Sequence, residues 1–214
     1  MPRNKYPEET VQKILEVSLK LFLEKGYEET TILDIVNNLG GLTRGAFYHH
    51  FKSKEEVMNA LSSKLFFDDN PFEKVNGDSS LNGLEKIKKV IKLQFENPEQ
   101  QKINAMSIPL LKNPRILAEM LESDQTIAIP LFQRLFEEGM LDGSIRQTNA
   151  KLISELLILL SNIWLIPSIF PSTRQEFLDK LSLTKNIFDG IGVPLFDAEI
   201  MGYCQSAAEK LGLK

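Results

Sequence analysis

The stretch that decides the fold runs from Thr30 to Glu56 and reads TTILDIVNNLGGLTRGAFYHHFKSKEE. It contains three helix starts, each marked by a hydroxyl side chain that can cap a helix N-terminus: Thr31 in Thr31-x-x-Asp34, Thr43, and Ser53 in Ser53-x-x-Glu56. Gly40-Gly41 permits a sharp turn between the first two helices, because glycine adopts positive φ without strain. Two helices joined by a tight glycine-containing turn are typical of a helix-turn-helix.

The spacing within the second, short helix predicts which side faces the core. Phe47 and Phe51 are four residues apart, so they share a face and are expected to pack against the first helix, on Ile35 and Leu39. Arg44 and Tyr48 are also four apart and lie on a different face. The sequence therefore predicts that a cationic, aromatic face is presented outward.

The charge around this helix is one-sided. From Thr43 to Lys54 there are three fixed positive charges, two histidines and no acid. A helix N-terminus adds partial positive charge and unpaired N–H groups, which suit phosphate. The segment is therefore interpreted as a DNA-recognition unit, although a solvated charged face on a small helical bundle is the alternative.

The segment from Thr43 to Glu55, TRGAFYHHFKSKE, resembles the recognition-helix signature of the tetracycline-repressor (TetR) family. The preceding Phe22-x-x-x-Gly26-Tyr27-x-x-Thr30-Thr31-x-x-x-Ile35 resembles the segment that precedes it in that family, and the resemblance covers roughly residues 7–67. Gly40-Gly41-Leu42 departs from the Ala-Gly-Val-like turn that is more usual there. The resemblance implies an all-α protein, with an N-terminal three-helix helix-turn-helix head (1–67) and a larger helical-bundle domain for effector binding and dimerisation (68–214).

The resemblance also implies roles for individual residues of the head. Arg44 is the residue expected to read a base edge, with Thr43 and Gly45 beside it at the groove. Contacts to phosphates, which position the protein without specifying sequence, are expected from four further residues: Thr31, Tyr48, His49 and Lys54. A short N-terminal arm, residues 2–6, carries Arg3 and Lys5 and is interpreted either as a phosphate contact or as a frayed terminus.

The rest of the chain is predicted to be helical throughout. Apolar spacing, caps and prolines predict a first helix over 7–25, and later helices at about 53–67, 81–96, 98–111, 114–139, 149–166, 173–188 and 197–211. Pro109 and Pro130 are expected to kink or divide their helices. The segment from Lys74 to Ser80 is predicted to be a linker.

The most apolar run lies between Leu152 and Phe170, and its length approaches that of a membrane span. Glu155, Asn162 and Pro167 interrupt it, and basic flanks are sparse, so a buried helix is favoured over a membrane helix. In a TetR-like protein one side of this helix is expected to face a second subunit, together with helix 173–188.

Composition excludes several kinds of chemistry. The single cysteine, Cys204, allows no internal disulfide or Cys-based zinc site and suits a cytoplasmic protein, and the polar N-terminus lacks a signal-peptide core.

His49-His50 lacks partners for a metal site, and neither a catalytic triad nor a P-loop is present. Net charge is −4, yet residues 1–67 hold 9 Lys/Arg and 9 Asp/Glu, so DNA binding depends on local distribution. Neither an enzyme nor a cofactor is expected.

The sequence therefore predicts a dimeric regulator, most simply a repressor, that a small apolar or amphipathic effector releases from a palindromic operator in double-stranded DNA. Two alternatives stay open: a helical ligand-binding or scaffold protein that no longer binds DNA, and an unrecognised enzyme. The effector pocket is expected in the second domain, where large apolar side chains are its candidate lining or else plain core: Phe66, Phe95, Met106, Met120, Phe132 and Trp164.

Overall fold

The computed structural model describes residues 7–210, apart from the side chains of residues 7, 65–68, 99, 208 and 210. All regular structure in this range is helical, as predicted. The α-helices are α1 (Pro7–Lys25), α2 (Ile32–Asn38), α3 (Arg44–His50), α4 (Lys54–Asp68), α5 (Pro71–Val75), α6 (Gly83–Glu96), α7 (Pro98–Ser107), α8 (Pro114–Ser123), α9 (Ile129–Asp142), α10 (Ala150–Leu159), α11 (Arg174–Gly190) and α12 (Ala198–Lys210). The N-terminal arm, residues 2–6, lies outside the described residues.

The chain forms two compact units. The first runs to Asp69 and also takes in Pro98–Leu110, and the second consists of Asn70–Asn97 and Leu111–Lys214. The domain boundary predicted at residue 67 stays a prediction. What the structure adds is that α7 packs on α1 and α4, within the first unit.

The first unit has one apolar core to which each of its helices contributes. Phe47 and Phe51 of the α3 segment are buried in the same cluster as Ile35 and Leu39 of α2, as the spacing predicted. Ile103 of α7 is fully buried there as well. Burying a side chain of this size stabilises a fold by about 1.5–3 kcal/mol, so α7 contributes directly to the stability of the unit.

The predicted caps account for where the helices of the first unit begin. Thr31 and Asp34 form a complete capping box, and the Thr43 hydroxyl accepts from the backbone N–H of Ala46. The box predicted at Ser53 is half formed: the Ser53 side chain accepts from the Glu56 N–H, but the Glu56 carboxylate accepts from the Lys52 N–H, at 2.7 Å.

The turn between α2 and α3 depends on its two glycines. Gly40 and Gly41 have φ of 60° and 98°, in the left-handed region that other residues rarely adopt. The chain can therefore reverse within four residues of the end of α2. This turn places Thr43 at the N-cap of α3, which begins at Arg44.

The second unit contains a very close helix crossing. A Cβ added at Gly83, the first residue of α6, would lie 2.1 Å from the backbone nitrogen of Gly139 in α9. Two backbone N–H groups at the start of α6 donate to side chains at the C-terminal end of α9 and just after it: Gly83 to Asp142 at 2.7 Å, and Leu84 to Ser144 at 3.2 Å. Glycine is therefore required at this crossing by close approach.

The structure corrects several predicted boundaries. The predicted linker contains the end of α5, a helix that Asn70 caps and whose Val75 is fully buried. Helix 98–111 ends at Ser107 and continues as a 3₁₀ turn that holds Pro109. Helices 114–139 and 149–166 are interrupted by π-helical turns, at Asp124–Ala128 and at Leu160–Trp164.

Candidate nucleic-acid interface

The candidate interface is the outward face of α3. Buried Phe47 anchors the helix to the core, so the residues that lie off its side of the helix point away from the core. Thr43, Arg44, Gly45, Tyr48 and His49 are all exposed, and Tyr48 retains 41% of its accessible surface. The structure thus brings five of the seven predicted DNA contacts together on one surface.

Arg44 and Tyr48 form the centre of this surface. The Arg44 Nη2 atom lies 3.5 Å from the Tyr48 hydroxyl, and its guanidinium carbon lies 5.5 Å from the centroid of the Tyr48 ring. A guanidinium beside an aromatic ring keeps its planar set of N–H donors and loses side-chain freedom, which favours a bidentate contact with a base or phosphate. The arrangement is chemically suited to an anionic, hydrogen-bond-accepting surface.

Gly45 lies beside these two residues and leaves the surface open. The nearest heavy atom to a Cβ added there would be the Thr43 hydroxyl oxygen, at 3.6 Å. The fold of this chain therefore tolerates a larger residue at position 45. If a function requires glycine at position 45, the reason is the close approach of a bound partner, because the fold itself leaves room for a side chain there.

Thr31 is exposed, but its donors already have an acceptor. Its backbone N–H and its hydroxyl both donate to the Asp34 carboxylate, at 2.8 and 2.7 Å. Lys25 donates to the same carboxylate at 2.9 Å, and these contacts hold the pKa of Asp34 well below its usual range. The predicted phosphate contact of Thr31 stays a prediction, and it competes with this internal network.

Lys54 is also engaged internally. Its ammonium group donates to the backbone carbonyls of Tyr27 and Thr30, at 2.6 and 2.9 Å, and lies 4.1 Å from the centroid of the Tyr27 ring. Thr30 is fully buried, so the ammonium satisfies a carbonyl in the loop between α1 and α2. The predicted phosphate contact of Lys54 stays a prediction as well, and it competes with this role.

The two histidines at the end of α3 differ in their environments. The His49 ring is exposed, whereas His50 is half-buried, and its Nε2 atom has no hydrogen-bond partner among the described residues. Burial, together with the neighbouring His49, lowers the pKa of His50. The environment of His50 therefore favours the neutral form of its ring.

One residue of this surface was left out of the predicted contacts. Lys52 follows α3 directly and its side chain is exposed, while the neighbouring Lys54 is not. The signal was present in the sequence, because Lys52 belongs to the same acid-free segment. The difference in exposure between Lys52 and Lys54 depends on the position of the core, which the sequence pattern does not give.

The predicted ligand-lining residues are distributed over both units. Met106 packs against the core of the first unit. In the second unit, Phe132 is buried against Phe72 with ring centroids 4.9 Å apart, Phe95 stacks on Tyr203, and Met120 and Trp164 are half-buried. The Phe66 side chain lies outside the described residues. That these residues line one pocket stays a prediction.

In the described part of the chain, no group of three or more His, Cys, Asp or Glu residues is placed to hold a metal ion. Within the same residues, no helix combines the length and the apolarity needed to span a bilayer. A shallow, open depression of about 420 Å³ lies on the first unit and is lined by Glu8, Val11, Gln12, Leu15 and Lys64.

Comparison with known proteins shows that part of the chain is similar to one family of bacterial regulators. Residues 14–61 match the family model described as bacterial regulatory proteins, tetR family. The chain is 38% identical over 93 residues to an uncharacterised helix-turn-helix regulator of Bacillus subtilis, YerO, covering 42% of this chain and 31% of that protein. It is 36% identical over 86 residues to the transcriptional repressor KstR2 of Mycobacterium tuberculosis, covering 39% and 42%.

Solved structures extend the similarity in fold along the chain. A TetR-family regulator from Pectobacterium atrosepticum superposes with a TM-score of 0.62 at 18% identity, over 89% of this chain and 98% of that one. A second, from Syntrophomonas wolfei, gives a TM-score of 0.55 at 21% identity over 95% of each. The chain spans less than half the length of the first curated relatives that it matches, between 27% and 42% of each.

Proposed function

We propose that this chain is a member of the tetR family of bacterial regulatory proteins, whose model its residues 14–61 match. We propose further that it is a ligand-responsive transcriptional regulator that represses by binding operator DNA in the cytoplasm. The observation that carries the proposal is the surface around Arg44 and Tyr48, which is exposed, cationic and held by buried Phe47. We propose no enzymatic role. Two relatives of the chain, YerO and KstR2, are named as transcriptional regulators.

In the proposed complex α3 enters the major groove. Arg44 donates two hydrogen bonds to guanine O6 and N7, and Thr43 and Gly45 lie against the groove floor. Tyr48, His49 and Lys52 contact phosphates and set the position of the helix without specifying sequence. Thr31 and Lys54 join them only if their internal hydrogen bonds open.

We further propose that the regulator is a homodimer and that its operator is nearly palindromic. What supports a dimer is apolar surface on the second unit: Leu152 and Leu159 of α10 and Leu183 of α11 are each at least half exposed. In a two-fold dimer two copies of α3 enter successive major grooves about 34–36 Å apart. Leu159→Glu is expected to convert the dimer to a monomer in light scattering, and an unchanged mass would exclude this face.

The proposed mechanism of regulation is mechanical. A small apolar or amphipathic effector binds the second unit and alters the spacing of the two DNA-binding heads, with α4 as the connecting helix. Binding free energies are reciprocal, so operator DNA must weaken effector binding by the same factor by which the effector weakens operator binding. Equal effector affinity with and without operator would refute this mechanism.

The direct test is footprinting of the purified chain on DNA upstream of its own gene. A protected, nearly palindromic site is expected, and Arg44→Ala is expected to protect it only at about 5- to 150-fold higher protein concentration. The second candidate, a ligand-binding protein that no longer binds DNA, predicts no protection there and no duplex recovered by in vitro selection. Such a result would refute the proposed function.

A further inference from the structure

The second unit contains a buried carboxylate without a counter-charge. Asp124 is 8% exposed, and both of its carboxylate oxygens accept from the side-chain Nδ2 of Asn162, at 3.0 and 3.2 Å. Among the described residues, no cationic side chain pairs with it. Burial raises the pKa of Asp124 to about 6, so the group is still largely ionised at pH 7. An unpaired charge in the interior is unfavourable, so a buried carboxylate of this kind is a candidate for binding a cationic group.

The two polar residues lie in matching irregular turns. Asp124 begins the π-helical turn Asp124–Ala128, and Asn162 lies within the π-helical turn Leu160–Trp164. A π-helical turn is a rare departure from regular helix that recurs at functional sites. Here one hydrogen-bonded pair joins two such turns on different segments of the chain. A polar pair that joins two irregular turns indicates a functional site at this position and not only core packing.

The helix next to Asp124 supplies incompletely covered apolar surface. None of the described residues of α8 is fully buried, and Ile116, Leu117 and Met120 on its apolar side are half-buried. The Asp124 N–H donates to the carbonyl of Met120, so the carboxylate lies one turn beyond that side chain. A buried negative charge and partly open apolar surface are thus adjacent along one continuous stretch of chain.

We propose that Asp124 and Asn162 bind the protonated amine of an amphipathic effector whose apolar part lies against α8. The Asp124 oxygens and the Asn162 carbonyl oxygen accept hydrogen bonds from the ammonium group, and its positive charge compensates the carboxylate. An effector that presents a carboxylate is disfavoured here by like-charge repulsion. The inference rests on the proposed function in taking the ligand to be an effector, and it narrows that effector to an organic cation.

The test measures binding to the full chain by isothermal titration calorimetry, without DNA. The probes are phenylalkylamines of increasing chain length, each paired with the phenylalkyl alcohol and phenylalkyl carboxylate of the same length. At least one amine is expected to bind about tenfold or more tightly than its alcohol, and the carboxylates are expected to bind least. This comparison uses the unaltered protein, so it holds even if a variant fails to fold.

Asp124→Asn is expected to abolish the preference for the amine over the alcohol while leaving the affinity for the alcohol within about twofold. Asp179→Asn is the matched control, because it removes the same charge from an exposed position on α11. Binding of no amine in the series, equal binding of amine and alcohol, or a preference that survives Asp124→Asn would each overturn the proposal. Failure to find an operator would instead refute the proposed function and leave these binding measurements intact.

Discussion

Replacement of Lys54 by methionine separates a structural role from a DNA-contacting one. Methionine retains a long apolar stem but removes the ammonium that binds the carbonyls of Tyr27 and Thr30. Hydrogen bonds to a charged group contribute about 1.5–3 kcal/mol each, and the contact with the Tyr27 ring adds to them. Since repacking and water recover part of this, we expect the loop between α1 and α2 to lose about 2–4 kcal/mol of protection against opening.

Hydrogen–deuterium exchange of the peptide that covers residues 26–31 measures this loss directly. A change of 2–4 kcal/mol corresponds to exchange that is roughly 30 to 1000 times faster. Operator affinity is measured over a range of salt concentrations in parallel, on a duplex obtained by in vitro selection. The logarithmic salt dependence is expected to keep its slope in Lys54→Met, because the ammonium that was removed was not bound to phosphate.

The exposed Lys52 provides the matched control two residues away. Lys52→Met is expected to leave exchange unchanged and to reduce the salt slope by about 0.9 per subunit, the value for one lost phosphate contact. The opposite result for Lys54→Met, a reduced slope with unchanged exchange, would refute our reasoning. It would mean that the internal hydrogen bonds open when DNA binds.

Three further substitutions test other parts of the interpretation. Arg44→Ala is expected to weaken operator binding by about 1–3 kcal/mol and to relax preference at one base position in a randomised selection; unaltered preference would contradict its role. Gly83→Ala is expected to destabilise the second unit by about 3 kcal/mol, because the added Cβ clashes with the backbone of Gly139. This clash outweighs the ~1 kcal/mol that alanine gains over glycine in a helix. The measurement is urea unfolding followed by the fluorescence of Trp164. Gly202→Ala, with no heavy atom within 4 Å, is its control and is expected to be neutral or stabilising. Burial raises the pKa of Asp124 from 3.8 to about 6, so between these pH values the folded chain binds more protons than the unfolded chain. The folded state therefore loses stability as the pH rises from about 4 to about 6. Asp124→Asn is expected to raise Tm near pH 7 and to change it little near pH 4.

The sequence allowed the helix-turn-helix to be predicted closely because its boundaries are set by local chemistry. Thr31, Thr43 and Ser53 cap their helices through contacts three residues along the chain, and Gly40-Gly41 reverses it through backbone conformation alone. The outward face of α3 followed from the burial of one residue, Phe47. Such features involve neighbours in sequence, so they can be recognised without knowledge of the fold.

Features that depend on distant partners were not predicted. The engagement of Lys54 depends on carbonyls 24 and 27 residues away, and the Asp124–Asn162 pair joins residues 38 apart. The π-helical turns resemble ordinary helix in sequence, because the apolar spacing on either side of them is kept. The short helix α5 is a different case, because its start is marked by a local signal, a capping asparagine followed by proline at Asn70-Pro71.

The discontinuity of the first unit has a practical consequence for exchanging modules between regulators. Ile103 is fully buried in the core of the first unit, although residues 70–97, which belong to the other unit, separate α7 from the N-terminal helices in sequence. A chimaera grafted at Asp69 therefore inherits a foreign α7 equivalent, whose side chains must fill the space shaped by Ile103. When α7 is transplanted together with the N-terminal helices, its side chains still fit the core in which they evolved. The choice of α7 is therefore the variable to control when new sensors are assembled.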